Sequence, residues 1–157
     1  MTTTDIDKFR VVGIAVRTSH RTENSTKQRI PHLWKRFLEE RVIDKIPNRV
    51  DSQKVFAIYT EYDSDEYGKY TYIIGMEVSE FSNIPEGMIG KTIKQDNYEM
   101  LPSENGPFNE AVPKAWKKAR SDADLKDKRK FDTDFVSYDM DEGESKGKVQ
   151  LYVSIAS

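Results

Sequence analysis

The order strand, helix, strand, strand occurs twice along this chain, and no other feature restricts its fold as much. Two stretches carry helical periodicity. In the first, Ile30, Leu33, Trp34, Phe37, Leu38 and Val42 recur at spacings of three and four, so they share one stripe. In the second, Phe108, Val112, Ala115, Trp116 and Ala119 do the same. Each stretch has a proline three residues before its tryptophan, Pro31 before Trp34 and Pro113 before Trp116. A proline in a helix interior costs ~3 kcal/mol, so each helix either starts at that point or bends there. Ser25 and Gln28 form a capping box ahead of the first helix, and Pro107 suits the first position of the second.

Extended runs flank both helices. Residues 11–16 form a short β-rich run, and residues 55–62 and 70–78 read as a hairpin around a polar turn with Asp63, Ser64, Asp65, Glu66 and Gly68. The second half repeats the order, with extended segments in 89–101, then the helix, then strands in 131–138 and 148–155. Ile84-Pro85-Glu86-Gly87 reads as the join. The expected architecture is α+β: one domain over 1–157, with pseudo-repeats of about 10–79 and 88–156. They form an antiparallel sheet with two main helices and a central cleft. A three-stranded sheet with one helix buries little surface, so neither half should stand alone, and the cleft follows their junction.

Composition removes several function classes. The chain has no cysteine, which excludes disulfides, thiolate metal centres and thiol catalysis. Its 25 basic and 27 acidic side chains nearly balance, unlike the strongly basic surface of a nucleic-acid binder, so no direct nucleic-acid partner is expected. The basic stretch 114–130 reads as a solvated helix end and loop. No apolar run reaches the roughly 20 residues of a membrane span, and the polar N-terminus has no secretory core, so a cytoplasmic location is expected. His20 and His32 fit no metal spacing, Gly-rich phosphate loops are missing, and the acidic turns around Asp63 and Asp139 lack EF-hand spacing. No cofactor is expected.

Several segments, in this order, resemble the gyrase-inhibitor-like family, which includes effector-binding domains of drug-responsive bacterial transcription activators. They are Val11-Val12-Gly13-Ile14-Ala15-Val16-Arg17-Thr18, Pro31-His32-Leu33-Trp34-Lys35-Arg36-Phe37 and Ile46-Pro47-Asn48-Arg49, then the run from Val55 to Val78. Ile84-Pro85-Glu86-Gly87-Met88, Asp134-Phe135-Val136-Ser137-Tyr138-Asp139 and Leu151-Tyr152-Val153-Ser154-Ile155 complete the set. The resemblance implies a duplicated fold whose cleft takes aromatic or cationic small molecules, with an acidic residue among aromatic rings. It also implies a standalone module, since the first matched strand begins at Val11 with no DNA-binding domain ahead of it. Relatives often carry glutamate where this chain has Gln150, and another within the segment matched by Phe135-Val136-Ser137.

Strand alternation supplies a substitute for that acid. Tyr72, Ile74, Met76 and Val78 share one face of their strand, and Glu77 lies on the other. Val149, Leu151, Val153 and Ile155 form the matching core face, leaving Gln150, Tyr152 and Ser154 opposite. The expected ligand site is therefore Glu77 as the acidic group, with Gln150 and Tyr152 beside it and Trp34, Trp116, Tyr59, Tyr72 and Tyr98 as ring partners for a hydrophobic or cationic molecule. The expected role is a sensor or sequesterer. Two alternatives stay open: a hydrolase with Glu77 as general base, and a protein-interaction module, such as a gyrase modulator, with a protein partner.

Overall fold

Each half forms a three-stranded sheet plus a helix, and the two sheets join edge to edge. In a computed structural model that describes residues 2–51, 53–64, 68–140 and 146–156, the first half comprises β1 (Thr2–Ile6), β2 (Phe9–Ser19), α1 (His20–Glu23), α2 (Ile30–Glu39), α3 (Val42–Lys45), β3 (Lys54–Thr60) and β4 (Lys69–Val78). The second comprises β5 (Ile89–Ile93), β6 (Asp96–Met100), β7 (Glu104–Pro107), α4 (Phe108–Ser121), α5 (Ala123–Lys128), β8 (Asp134–Asp139) and β9 (Lys146–Ser154). The strand order is β1-β6-β9-β8-β3-β4-β2-β5, all neighbours antiparallel, with β7 also on β9. The core of each repeat is thus β2-α2-β3-β4 and β6-α4-β8-β9, and they meet where β3 pairs with β8.

β1 lies in the polar N-terminal stretch, where the sequence pattern gives no strand. It pairs with β6 from Thr2 opposite Met100 to Ile6 opposite Asp96. The same register resumes as β2 pairs with β5, from Phe9 opposite Ile93 to Gly13 opposite Ile89. The ladders followed from β2 through β4, β3, β8, β9 and β6 to β1 therefore return to β2 across just Asp7 and Lys8. The sheet curls into a half-barrel, and β1 and β5 remain its end strands, each paired on one side.

The two faces of the sheet carry separate cores. The larger lies under the helices and includes Leu33, Phe37, Tyr72, Ile74, Met76, Trp116, Leu151 and Val153. The smaller is supplied by strands alone: Val11, Phe56, Ile58, Ile73, Ile93, Tyr98 and Phe135. Strand parity thus assigns Tyr72, Ile74, Met76 and Val78 to the helix face as expected. Gly13 and Gly75 face each other between β2 and β4. A Cβ on Gly13 would stand 2.0 Å from the Ile74 carbonyl oxygen, so only glycine allows these backbones to approach so closely.

The two prolines meet different fates. Pro31 sits in the first turn of α2, where its missing N–H costs nothing, whereas Pro113 lies inside α4. Pro107 is the residue before α4 rather than its first helical position. The expected capping box does not form. The Ser25 hydroxyl donates to the Thr22 carbonyl and accepts from the Lys27 amide, so it never reaches α2. The Glu23 carboxylate instead accepts from the Arg29 and Ile30 amides, at 3.1 Å each. An acid at a helix start satisfies orphan donors and complements the helix dipole. The Ile84–Gly87 segment falls between β4 and β5. The residues expected at the hairpin tips, Asp65, Glu66, Asp141, Glu142 and Glu144, lie outside the described residues.

Candidate ligand cleft

The apolar stripe of α2 is only partly spent on the core. Leu33 and Phe37 are buried against the sheet, while Trp34 is half-buried and Leu38 is exposed. Trp34 and Leu38 face instead a cavity of about 740 Å³ between α2 and α4, at the junction of the two halves. Its floor is Tyr59 of β3, Tyr72 of β4 and Tyr138 of β8, and Phe108, Asn109, Val112 and Pro113 of α4 form the far wall. The rings contact one another edge to face. Tyr59 and Tyr72 lie 5.0 Å apart between centroids, Trp34 and Tyr138 5.0 Å, and Phe108 and Tyr138 4.9 Å, within the range of favourable aromatic pairs.

Polar groups in the cleft are few and mostly fixed. The Trp34 indole N–H donates to the Tyr72 hydroxyl at 2.8 Å. Burial pushes the Tyr59 phenol up to about 12 and holds Tyr72 and Tyr138 well above the usual tyrosine range, so all three stay neutral near pH 7. Pro113 offers no N–H to the carbonyl of Asn109 one turn earlier, which leaves an acceptor without its helical donor on the same wall. Among the described residues, Lys35 is the single charged residue lining this cavity, and no carboxylate does.

A second cavity of about 390 Å³ adjoins the first, sharing Ile30, Tyr59, Val112 and Pro113. His20, Glu23, Asn24, Tyr62, Tyr70, Trp116, Arg120 and Arg129 complete its lining. Trp116 is buried, and its indole N–H donates to the Tyr59 hydroxyl at 3.3 Å. The Arg120 and Arg129 guanidiniums lie 5.3 and 5.5 Å from the Trp116 ring centre. Arg129 does not behave as part of the solvated stretch expected from its neighbours. Its side chain is only 8% exposed and pairs at 2.9 Å with the fully buried Asp134. Asp134 also accepts from the Tyr62 hydroxyl and the Ser154 amide. A buried acid so saturated is a structural anchor.

The expected site residues are divided by the sheet. Trp34, Tyr59 and Tyr72 share the large cleft, and Trp116 lines the adjoining cavity. Glu77 and Tyr152 line a third cavity of about 280 Å³ with Phe56, Phe135, Lys8 and Lys54, on the opposite face. Gln150 donates to the Leu101 carbonyl, and Tyr98 is buried in the strand-only core; neither lines any of the three cavities. Glu77 and the ring cluster therefore do not share one cleft. The cause is parity, since a residue one position from Tyr72 or Met76 projects through the other side of the sheet. Phe108, Tyr138 and Arg120 are among the lining residues missed from sequence. Phe108 and Tyr138 carry a visible signal, as large aromatics on the apolar stripe and strand face. Arg120 stands four residues after Trp116, on the same helical face. Among the described residues, no group of His, Asp and Glu could hold a metal ion, and no helix is long and apolar enough to cross a membrane.

The family of integron-associated effector-binding proteins matches residues 3–155. The chain belongs to that family. The gyrase-inhibitor-like resemblance seen in the sequence is thereby shown, as is the α+β fold it implies. The chain is 27% identical over 154 residues to the putative transcriptional regulator protein YobU of Bacillus subtilis (strain 168), covering 97% of this chain and 95% of that one. Among solved structures, the integron cassette protein Cass2 from the mobile metagenome of Vibrio cholerae superposes with a TM-score of 0.82 at 23% identity, over 99% and 95% of the two chains. SAV2435, solved bound to tetraphenylphosphonium, superposes at 0.78 with 16% identity, over 99% and 93%. This member of the effector-binding family thus keeps the family fold while carrying Gln150 on the face away from its aromatic cleft.

Proposed function

We propose that this effector-binding domain binds hydrophobic aromatic small molecules in the cleft between α2 and α4, as a sensor or sequesterer. The observation that carries this reading is the cavity of about 740 Å³ whose floor and walls are rings. Ligand pockets typically span about 300–1,000 Å³ and combine apolar walls with a few fixed polar groups. Burying a flat ring system there releases water from apolar surface at about 25 cal/mol per Å², and the tyrosine and tryptophan edges are already placed for stacking. A ligand with a delocalised positive charge fits the same walls, because ring faces attract cations by about 0.5–2 kcal/mol. The tetraphenylphosphonium held by SAV2435 belongs to that chemistry.

Isothermal titration with tetraphenylphosphonium and with neutral polycyclic aromatics tests the reading. Micromolar binding is expected for at least one class. Val112 lines both cavities and is half-buried, so Val112→Trp should fill the passage and lower affinity at least tenfold while the domain stays folded. Unchanged affinity in that variant would place the ligand elsewhere. Saturable binding without turnover also separates this reading from hydrolysis at Glu77.

A further inference from the structure

We infer that the cavity adjoining the aromatic cleft receives a negatively charged group of the same ligand, so that this protein selects aromatic compounds bearing a carboxylate or comparable anionic arm. This rests on the aromatic-cleft reading above and adds the charge of the ligand to it.

The two cavities are one trough in chemical terms. Ile30, Tyr59, Val112 and Pro113 belong to both walls, so a molecule whose rings fill the larger space can extend a short arm past Tyr59 into the smaller. Among the described residues, the larger space has no carboxylate to meet a cation. The smaller has two guanidiniums. Arg120 stacks over Trp116 and has no carboxylate within salt-bridge distance among the described residues. Arg129 spends one amino group on Asp134, but its Nε is buried and lacks any hydrogen-bond partner among the described residues. A buried donor left without an acceptor is unfavourable, and a ligand oxygen that reached it beside Trp116 would supply the missing acceptor.

The acid on the same walls is already engaged. The Glu23 carboxylate accepts from the Thr18 hydroxyl and from the Arg29 and Ile30 amides, and it closes the start of α2. A cation at that spot would have to share a carboxylate already holding three donors. Asp134 neutralises Arg129 from behind but does not line the cavity. Among the described residues, Arg120 is therefore the charge of this cavity with no carboxylate partner, and its field reaches the Tyr59 and Tyr70 hydroxyls, where it opposes the upward push that burial exerts on both phenols. A planar guanidinium held against a ring presents its remaining N–H edge outward, the geometry that grips a carboxylate in two places.

Three probes with one ring system test this: 1-pyrenebutyrate, 1-pyrenebutanol and the trimethylammonium analogue of the same length, titrated calorimetrically at 20 and 500 mM NaCl. The butyrate should bind roughly tenfold more tightly than the alcohol at low salt, the ammonium least tightly, and the gap should shrink at high salt. Arg120→Gln, at an exposed position of α4, should bring the butyrate down to the alcohol and leave the alcohol within about twofold. Arg120→Lys should restore part of the gap through charge alone. The inference is overturned if the butyrate gains nothing over the alcohol, if the ammonium binds best, or if Arg120→Gln weakens all three probes equally. Those outcomes leave the cleft reading standing; failure of all three probes to bind would remove both.

Discussion

The two faces of the sheet are built from the same strands and differ in how much space they leave, a cavity of about 280 Å³ on the strand-only face against about 740 Å³ under the helices. On the face away from the helices, Phe135 stacks on Tyr152 at 4.6 Å and meets Phe9, Phe56 and Tyr98 within 5.8 Å. These rings close on each other because the circuit of strands brings their side chains together from all sides. On the helix face, α2 and α4 stand over different halves of the sheet, and none of the described residues fills the space between them above Tyr59, Tyr72 and Tyr138. Aromatic content alone therefore does not distinguish core from site; what matters is whether neighbouring elements converge on the rings or straddle them.

The largest expected effect tests the filled side. Phe135→Ala removes a buried ring from the strand-only core and should lower stability by about 3–5 kcal/mol in urea unfolding. Aromatic-probe affinity of the folded fraction should stay nearly unchanged. A cost below about 1 kcal/mol would mean that this face is as loosely packed as the other, and the contrast between them would fail.

Trp34→Phe probes the hollow side with a gentler change. It keeps a ring but deletes the indole donor to the Tyr72 hydroxyl, which should cost about 1 kcal/mol of stability. Probe affinity should fall more than stability does, because Trp34 faces the cavity as well as the sheet. Equal losses in both would make Trp34 an ordinary core residue.

The smallest effect is in pH. The phenols of the cleft have raised pKa values, Tyr59 to about 12, so they stay neutral in the folded protein after an unfolded chain has begun to ionise near 10. Stability contributed by these groups is fully present below pH 10 and is lost as pH rises from 10 towards 12, since the unfolded state then binds fewer protons. The urea midpoint and probe affinity should be flat from pH 7 to 9.5, and the midpoint should fall above 10. A decline beginning near pH 9 would mean that the phenols are hydrated.

Much of this was readable in the sequence, and the failures share a cause. The apolar stripes of α2 and α4 and the alternation in β4 and β9 gave both helices, the duplication and the correct face for each strand residue. β1 was invisible because Thr2-Thr3-Thr4-Asp5 has no apolar alternation; its pairing comes from the register that β2 and β5 impose. Parity separated Glu77 from Tyr72 but could not say that the cavity would open on the helix side, since that depends on where α2 and α4 lie relative to each other. Arg129 looked like one charge in a solvated run because its partner Asp134 lies on a strand, and Glu23 was overlooked because it caps a helix from six and seven residues upstream.

The most direct measurement uses the two tryptophans as reporters of one face. In a two-dimensional 15N–1H spectrum, the indole N–H signals of Trp34 and Trp116, assigned with Trp34→Phe, are followed during titration with 1-pyrenebutanol. Both signals should shift and saturate along one binding curve, while the amides of Lys54, Glu77 and Ser137 around the opposite cavity stay in place. Still indoles with moving amides at those three residues would put the ligand on the other side of the sheet and contradict the account.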